Sequence, residues 1–433
     1  MNNTSRRNFL KNNALLASGT ILAPTIIPAC SRGKNGHTAP SDRITLAAVG
    51  VRGRGNTNLT GLLKQKGVQV VVACDLDTHF LTKMQNAIWS IYENKDCRAY
   101  TDYRELLEKE SVDTAVISVP DHWHMLLYNA FANKKIDIYG EKPLVRKIEE
   151  GKKLVKTIED NDIVFQTGSQ QRSMKHFRHA CELVANGVLG KIERIEVGIP
   201  NMTKEIGIPP IQEPPKEIDY NFWVGPAEYL EYRGVLHGHW RWLRNYSGGQ
   251  LTDWVGHHMD IALWSMEANN AEPVEITGDA TFRENTIFDV PYSFDIQMNM
   301  SNEVPVRLCS ESFTPHKHGV CWYGENGWLY ASRKEGLKAS NENILKEVIP
   351  ENGIHLYESG NHYKNFIDCV KSREKTVAPV DAGFRSITAG LLGEIAYLTG
   401  ETIHWNPIKQ ELVNASPEAL ALSTREYREP WVF

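Results

Sequence analysis

A glycine-rich turn between two apolar segments limits what this chain can fold into more than any other feature. The apolar run Arg43–Val49 leads into residues 50–55 (GVRGRG), a helical pattern follows over Asn56–Lys66, and a second apolar run, Val68–Cys74, ends at Asp75. Strand, glycine-rich turn, helix, strand and acidic residue in this order form the dinucleotide-binding fingerprint in the context that it requires. The pattern therefore predicts the first unit of a doubly wound parallel sheet that holds a dinucleotide.

Glycine is needed in such a turn because the backbone bends tightly and comes close to a pyrophosphate, to which the helix N terminus offers free N–H groups. Gly50 and Gly55 occupy the first and third positions of the fingerprint, but Arg52 stands at the second. Two arrangements remain open: Gly53 makes the close approach instead, or Arg52 folds over the phosphates. In both arrangements, we predict that residues of this loop, including Arg54, contact the cofactor.

Asp75 ends the second predicted strand, where an acidic side chain accepts hydrogen bonds from the hydroxyls of the adenosine ribose. A carboxylate at this point repels a 2′-phosphate, and the following Thr78 and His79 do not supply the basic residue that NADP-binding proteins often use. The predicted cofactor is therefore NAD, with NADP disfavoured. The competing interpretation is that Asp75 is only a solvated strand end.

The alternation of strand and helix continues along the first half. Apolar runs over 113–120 and 136–139 indicate strands, and the patterns over 103–109 and 125–134 indicate helices. Repeated units of this kind predict an α/β fold, with an N-terminal Rossmann domain over residues 43–163 built on a doubly wound parallel sheet. Ligands bind at the carboxyl ends of such strands, which is where Pro120 and Glu141 are expected.

The second half has a different pattern, with several alternating runs over 275–282, 292–300, 304–313 and 319–323. Such alternation is typical of antiparallel strands with one exposed face. Residues 164–433 are therefore predicted to form a C-terminal α+β domain with a large, mostly antiparallel sheet. The proline-rich segment 200–215 cannot form regular structure and either covers the substrate or is a surface loop. The tail from Asn414 is a candidate for packing on a neighbouring subunit.

The chain opens with an export signal rather than a folded element. Arg6 and Arg7 lie in the motif SRRNFLK at residues 5–11, ahead of an apolar stretch that ends at Ile27. Paired arginines before a short apolar segment are recognised by the twin-arginine export machinery, which carries folded proteins. Residues 27–30 (IPAC) resemble a lipobox, so Cys30 is the predicted acylation site. We thus predict a leader over residues 1–30, a flexible linker over 31–42, and an exported, periplasmic lipoprotein anchored to the membrane.

Composition narrows the class of partner. A net charge of −5 gives no case for nucleic-acid binding. The 11 Trp and 16 Tyr suit the stacking of sugar rings, although most such side chains are simply core. The cysteines other than Cys30 show neither a CxxC pair nor metal-ligand spacing, so buried thiols are favoured over disulfides.

Several short motifs occur in a set order along the chain. They are VPDHWH at 119–124, EKP at 141–143, QTGSQQR at 166–172, WVGPA at 223–227 and GGQLTDWVGHHMD at 248–260. This ordered set resembles the Gfo/Idh/MocA family of NAD(P)-dependent oxidoreductases, which act mostly on sugars and polyols. Within that family the sequence is most similar to the exported twin-arginine subgroup. The resemblance implies a second domain that covers the active site and a homo-oligomeric assembly.

The resemblance also implies which residues surround the reacting carbinol. Lys142 of the EKP motif would stabilise the developing charge on the oxygen, and His257 would take the hydroxyl proton as hydride leaves. Asp253 and His257 are four residues apart, which on a helix places both on one face, so that the carboxylate orients the imidazole. Further contacts are expected with the cofactor (Pro120, His122, His124, Glu141 and Lys142) and with the substrate (Gln170, Arg172 and Asp260). Trp240 and Arg241 belong to a Trp–Arg–Trp run that suits sugar stacking and hydroxyl contacts, so they are also predicted to bind the substrate.

Together these features predict an exported enzyme that transfers a hydride between tightly bound NAD and a secondary hydroxyl of a sugar or glycoside. Two alternatives remain open. One is a glycosidase that uses NAD transiently for oxidation, elimination and reduction. The other is a non-catalytic sugar-binding lipoprotein, for which Arg52 at the second fingerprint position is the argument. A metal site built from His122, His124, His257 and His258 is conceivable, but the resemblance needs no metal and none is predicted.

Overall fold

The computed structural model describes residues 43–234 and 236–432 of the 433-residue chain. The predicted leader, the linker and Cys30 lie outside the described residues. In the described part of the chain, no helix is both long enough and apolar enough to cross a membrane. The six cysteines of this part are buried free thiols, as predicted.

The first sheet contains six parallel strands in the order β3-β2-β1-β4-β5-β6, which confirms the predicted doubly wound fold. Its central strands are buried on both faces because helices cover them, and this is why they are apolar throughout. The strands are β1 (Ile44–Val49), β2 (Val68–Cys74), β3 (Arg98–Tyr100), β4 (Thr114–Ile117), β5 (Asp137–Gly140) and β6 (Phe165–Thr167). The helices are α1 (Arg54–Leu63), α2 (Thr78–Tyr92), α3 (Tyr103–Lys109), α4 (His124–Asn133) and α5 (Ile148–Asn161).

The second sheet has nine strands in the order β13-β12-β11-β7-β10-β9-β8-β14-β15, and β7 and β10 are the one parallel pair among its described strands. The predicted large, mostly antiparallel sheet is thus confirmed. Its strands are β7 (Ile192–Ile199), β8 (Pro273–Thr281), β9 (Ser293–Met300), β10 (Pro305–Ser310), β11 (Gly319–Gly324), β12 (Gly327–Ser332), β13 (Gly336–Ala339), β14 (Ile403–Asn406) and β15 (Glu411–Val413). The helices are α6 (Lys175–Ala185), α7 (Tyr220–Val224), α8 (Leu236–His239), α9 (Gly249–Val255), α10 (His258–Ser265), α11 (Glu342–Lys346), α12 (His362–Ser372), α13 (Val380–Thr399) and α14 (Pro417–Leu422).

The two sheets do not divide the chain at residue 163, where the boundary was expected. β6 follows that boundary but pairs with β5 in the first sheet. Helix α12, which comes far later in the chain, also packs on the first sheet, since Phe366 and Ile367 are buried in the same core as Ile44 and Val70. These contacts join residues that are distant in sequence, so local patterns carry no sign of them.

Helix α13 contacts both sheets, through β6 and β8. Its Glu394 forms a buried, bidentate ion pair with Arg146, whose Nη1 and Nη2 groups each donate at 2.6 Å. Arg146 lies just after the loop 141–143 that follows β5. Because a buried ion pair contributes little net stability, its main effect here is to hold this loop in one position.

The C-terminal tail packs on its own chain, although the sequence suggested a neighbouring subunit. The Trp431 ring centroid lies 5.1 Å from that of Trp123 and 4.5 Å from that of Phe222. The Arg425 guanidinium donates to the His122 carbonyl oxygen at 2.7 Å. Trp123 and Phe222 also line a large cavity, so the tail supports one wall of that cavity.

Candidate active site

A cavity of about 580 Å³ opens at the carboxyl ends of β1, β2, β4 and β5. This is where a doubly wound sheet binds its ligands. Parts of the second half close the cavity, namely the α7 region, a short turn over 240–242 and the segment around α9. The predicted site residues that line the cavity are Gly50, Arg52, Gly53, Arg54, Asp75, Pro120, Glu141, Lys142, Trp240, Arg241, Asp253 and His257.

The glycine-rich loop is packed too closely for a side chain at its first and third fingerprint positions. A β-carbon on Gly50 would meet the Ser118 carbonyl oxygen at 2.3 Å, and one on Gly55 would meet the Gly50 carbonyl oxygen at 1.8 Å. Gly53 instead has a left-handed φ of 52°, and no described atom lies within 4 Å of its β-carbon position. This open space at the N terminus of α1 favours the arrangement in which Gly53 makes the close approach to phosphate.

The two arginines of the loop have different surroundings. The Arg52 guanidinium lies 4.6 Å from the ring centroid of Phe80, beside the adenosine end of the cavity, so it does not obstruct the loop. The argument from Arg52 for a non-catalytic protein therefore loses its basis. Arg54 turns towards β5, where its Nε atom donates to Glu141 Oε1 at 3.1 Å.

The Asp75 carboxylate is held in place by two backbone amides. The Val51 N–H donates to Oδ2 at 2.8 Å and the Asp77 N–H donates to Oδ1 at 2.9 Å. Burial raises the pKa of Asp75 above its ordinary value, although these two hydrogen bonds oppose the rise. A carboxylate has about four acceptor positions, so both oxygens keep capacity for the ribose hydroxyls.

The variant Asp75→Asn is expected to weaken NAD binding about 10- to 100-fold, because the ribose loses a charged acceptor. The change also removes the charge that repels a 2′-phosphate, so the preference for NAD over NADP should fall. Fluorescence titration with both dinucleotides measures these affinities, and Asp160→Asn, exposed on α5, is the matched control. An unchanged affinity for NAD would contradict the assignment of Asp75 to the ribose.

Glu141 is buried, and its Oε1 atom accepts hydrogen bonds from Asn58 at 2.8 Å, Arg54 at 3.1 Å and Gln170 at 3.2 Å. Burial alone would raise the pKa of this carboxyl, but the charges of Arg54 and Lys142 outweigh it and lower the pKa. Gln170, a predicted substrate contact, does not line the cavity. Its Nε2 atom donates to Glu141 and to the Tyr139 hydroxyl, so Gln170 helps to position Glu141, and its contact with substrate stays a prediction.

Lys142 and Asp253 form an ion pair in the cavity wall. Lys142 Nζ donates to Asp253 Oδ1 at 2.6 Å and to the Asp253 carbonyl oxygen at 2.8 Å. Arg241 adds a second cation, with its Nε atom 3.0 Å from the same Oδ1. Burial alone would raise the pKa of the Asp253 carboxyl, but Lys142 and Arg241 hold it at about 2. Two cations thus share one carboxylate, an arrangement that favours negative charge on a substrate oxygen nearby.

The spacing of Asp253 and His257 predicts that both lie on one face of a helix, but the structure does not have this arrangement. Helix α9 ends at Val255, between the two residues, and α10 begins only at His258, after them. The Asp253 carboxylate is already paired with Lys142 and Arg241. His257 lines the cavity, and its Nδ1 atom is buried without a hydrogen-bond partner among the described residues. The imidazole is therefore positioned by packing rather than by a carboxylate.

His257 is in the neutral protonation state, which can accept a proton. Burial, together with the positive charges of Lys142 and Arg333, holds the pKa of His257 well below its ordinary value of 6.5. The imidazole is consequently neutral at pH 7 and keeps a lone pair. A neutral imidazole within a cavity is the form that general-base chemistry requires.

Two histidines predicted to contact the cofactor are instead buried in the wall. His122 Nε2 lies 3.1 Å from the Trp223 carbonyl oxygen, and burial lowers the pKa of His122 to about 3. His124 Nδ1 lies 2.6 Å from the Pro143 carbonyl oxygen, and its Nε2 lies 3.0 Å from that of Val119. Neither histidine lines the cavity. Both ring nitrogens of His124 and the Nε2 atom of His122 contact backbone carbonyl oxygens, so both residues help to position the walls.

Arg172 and Asp260, predicted to bind substrate, pair with each other in the interior. Arg172 Nε donates to Asp260 Oδ2 at 2.8 Å, and Nη2 donates to Oδ1 at 2.9 Å. Their side chains are only 4% and 1% exposed, and neither lines the cavity. A buried charge needs an opposite charge nearby, and Arg172 and Asp260 supply this to each other. In this arrangement neither group contacts the cavity.

Several cavity residues were not predicted. Phe222 and Trp223 come from α7, Trp254 lies between the two predicted catalytic residues of the 248–260 motif, and Arg333 directly follows β12. The Arg333 guanidinium lies 5.5 Å from the ring centroid of Trp254. The position of Trp254 inside the motif was a usable signal, whereas nothing local marks Arg333.

The residues present fit a bound dinucleotide. Gly53 leaves open space at an uncapped helix N terminus, where a pyrophosphate would be held, and Asp75 offers acceptors to a ribose. In residues 43–234 and 236–432, no group of three or more His, Cys, Asp or Glu side chains is arranged to hold a metal ion.

Known proteins share parts of this sequence. A 2,7-anhydro-N-acetylneuraminate hydratase from Mediterraneibacter gnavus is 23% identical over 129 residues, which cover 30% of this chain and 32% of that protein. A glycosyl hydrolase family 109 protein 2 from Shewanella sp. strain ANA-3 is 29% identical over 174 residues, 37% of this chain and 38% of that protein. The chain thus matches about a third of the length of these curated relatives.

The fold is shared over a much larger part of the chain. The WlbA dehydrogenase from Bordetella pertussis, solved with NADH and UDP-GlcNAcA, has a TM-score of 0.63 at 14% identity and covers 84% of this chain and 99% of its own. Residues 44–169 match the family description "Oxidoreductase family, NAD-binding Rossmann fold", and residues 199–433 match "Oxidoreductase family, C-terminal alpha/beta domain". The chain therefore belongs to the Gfo/Idh/MocA family of oxidoreductases and carries its NAD-binding Rossmann domain.

Proposed function

We propose that this protein uses NAD, held in the cavity, to oxidise or reduce a secondary hydroxyl of a sugar or glycoside. The observation that carries the proposal is that Lys142, Asp253 and His257 line the same cavity as the glycine-rich loop. Relatives named for sugar chemistry support the substrate class, among them the glycosyl hydrolase family 109 protein and the dehydrogenase solved with UDP-GlcNAcA.

The geometry supports a division of labour in the oxidation direction. The substrate hydroxyl would lose a proton and its carbon a hydride, so that a carbonyl forms. NAD, held by the glycine-rich loop and Asp75, would supply the hydride acceptor. The neutral His257 imidazole takes the proton. Lys142 Nζ donates a hydrogen bond to the same substrate oxygen as negative charge grows on it. Asp253 keeps Lys142 in position through the 2.6 Å ion pair.

Absorbance and fluorescence scans of the purified protein, before and after addition of a panel of glycosides, test this function. The expected result is NAD that co-purifies with the protein and becomes reduced by some member of the panel. A protein that holds no NAD and binds none when it is supplied would overturn the proposal.

A second candidate function is hydrolysis through transient oxidation, and the glycosyl hydrolase family 109 relative favours it. Lys142 and His257 would act in the same way, but the hydride returns to the sugar after the glycosidic bond has been broken by elimination. Release of an aglycone without net formation of NADH identifies this reaction. Accumulation of NADH in step with sugar oxidation excludes it.

We also propose that the chain is exported by the twin-arginine machinery and anchored through an acylated Cys30, as its first 30 residues suggest. Outside the cytoplasm there is no free coenzyme pool, so NAD would stay bound and be recycled by a second substrate.

The double variant Arg6→Lys, Arg7→Lys is expected to keep the protein in the cytoplasm, because the receptor recognises the arginine pair. Cell fractionation measures this, with Arg32→Lys in the linker as the control. Unchanged export of the double variant would contradict the assignment.

A homo-oligomer is proposed as the assembled form. β9 alternates between buried and exposed residues, so its outward-facing side chains are open in a single chain. Such a face is suited to contact with a second copy, and light scattering after gel filtration reports the stoichiometry.

A further inference from the structure

Arg333 lines the cavity without a carboxylate to pair with. The neighbouring cations are matched, since Arg54 pairs with Glu141. Lys142 and Arg241 share Asp253. Among residues 43–234 and 236–432, no carboxylate lies within ion-pair distance of the Arg333 guanidinium, which reaches the same cavity. Within the described residues, this end of the cavity therefore holds a positive charge that no contacting carboxylate matches, and Glu141 and Asp253 act on it only from beyond ion-pair distance.

Two contacts hold the Arg333 side chain in one orientation. Its guanidinium lies 5.5 Å from the ring centroid of Trp254. In the amide orientation that satisfies both polar groups of Gln171, the Gln171 oxygen accepts from Arg333 Nε at 3.2 Å, and the Gln171 nitrogen donates to the His257 carbonyl oxygen at 2.6 Å. The Nε atom of Arg333 is thus occupied by the Gln171 oxygen, and the two Nη atoms are left to donate hydrogen bonds to a ligand. The same amide links this guanidinium to the backbone of His257.

The electrostatics of the site agree with this geometry. Burial and the charge of Arg54 lower the pKa of Arg333 from its ordinary value. The Arg333 charge in turn contributes to the low pKa of His257. Burial is the larger cause of both shifts, but each also includes repulsion between positive charges, which an anionic ligand in contact with Arg333 would reduce.

We propose that the substrate is an anionic sugar, and that Arg333 binds its carboxylate or sulfate group while His257 and Lys142 act on a hydroxyl nearby. A planar guanidinium presents parallel N–H donors that match two oxygens of one anionic group. The link through Gln171 sets the distance between the anion and the proton acceptor. This inference rests on the proposed function and narrows its substrate class from sugars in general to sugars with an acidic group.

The first test compares glucuronic acid, glucose 6-sulfate and neutral glucose, each also as its methyl glycoside, on the NAD-loaded protein. Trp240 and Trp254 line the cavity, so tryptophan fluorescence measures binding, and cofactor absorbance measures turnover separately. We expect one of the two anionic forms to bind about 10-fold or more tightly than the neutral sugar, and the better of them identifies the acidic group. Equal or tighter binding of the neutral sugar would overturn the inference, with or without turnover.

The second test uses Arg333→Gln, which is expected to weaken binding of the preferred anionic sugar about 10- to 100-fold and to leave binding of neutral glucose within about twofold. Arg333→Lys should recover only part of the loss, because it keeps the charge but not the paired donors. Arg194→Gln is the matched control, since Arg194 lies 3.7 Å from the Tyr323 ring centroid but does not line the cavity.

The outcomes separate this inference from the proposed function. A loss of equal size for anionic and neutral sugars in Arg333→Gln would show a structural role and overturn the inference. Selective binding of an anionic sugar that no treatment converts would uphold the binding role of Arg333 and count against the oxidoreductase function. Bound NAD is measured in every variant, so a failure to hold the cofactor is recognised directly.

Discussion

The variant Lys142→Met is expected to lower kcat for sugar oxidation about 100- to 1,000-fold while NAD stays bound. Lys142 is the cation that the 2.6 Å ion pair with Asp253 fixes in the cavity wall, and without it the substrate oxygen loses a charged donor. Arg241 still lies 3.0 Å from the Asp253 carboxylate, so no buried charge is left alone and the fold should persist. Single-turnover reduction of bound NAD measures the chemical step.

Two control variants distinguish the effect of the Lys142 charge from the effect of its position and shape. Lys156→Met, exposed on α5 beside Asp160, removes a lysine outside the cavity and should leave kcat unchanged. Lys142→Arg keeps the charge in a larger planar group, and we expect it to recover only part of the rate. A kcat within about threefold of wild type in Lys142→Met would contradict the assignment of Lys142 to the reacting oxygen, because loss of a donor of this kind costs far more.

Local sequence patterns predict the elements of this fold better than their arrangement. The expected bounds of β2 and α3 coincide with the observed ones, because apolar periodicity and flanking polar residues act within each segment. The position of α12 on the first sheet was not predictable. Its Phe366 and Ile367 join a core formed by residues at the start of the chain, and contacts of that kind leave no local pattern.

The cofactor half of the site was easier to predict than the substrate half. Gly50 and Asp75 lie at strand ends, and the topology of a parallel sheet brings strand ends together. The prediction from the spacing of Asp253 and His257 was wrong because it assumed one continuous helix, whereas α9 ends before His257. Arg333 directly follows β12 of the other sheet, and only the assembled fold brings it to the cavity.

The variant His257→Gln is expected to lower kcat/KM for oxidation about 100- to 10,000-fold and to change its pH dependence. Burial and the charges of Lys142 and Arg333 hold the pKa of His257 well below 6.5. The wild-type rate should therefore stay level as the pH falls through 6.5 and decline only at lower pH, where the imidazole becomes protonated and loses its lone pair. Glutamine cannot accept the proton, so the residual rate of the variant should lack this decline. Profiles of kcat/KM against pH, on NAD-loaded protein, measure both effects.

Two further variants decide whether His257 is the base. His404→Gln, exposed on β14, is the control and should keep the wild-type profile. Arg333→Gln removes a charge that depresses the pKa of His257, so the decline in rate should move to higher pH. A decline that survives unchanged in His257→Gln would contradict the assignment. Asp253 could not then take the proton, because its pKa is about 2 and Lys142 and Arg241 already occupy its carboxylate, so the proton would have to pass to water.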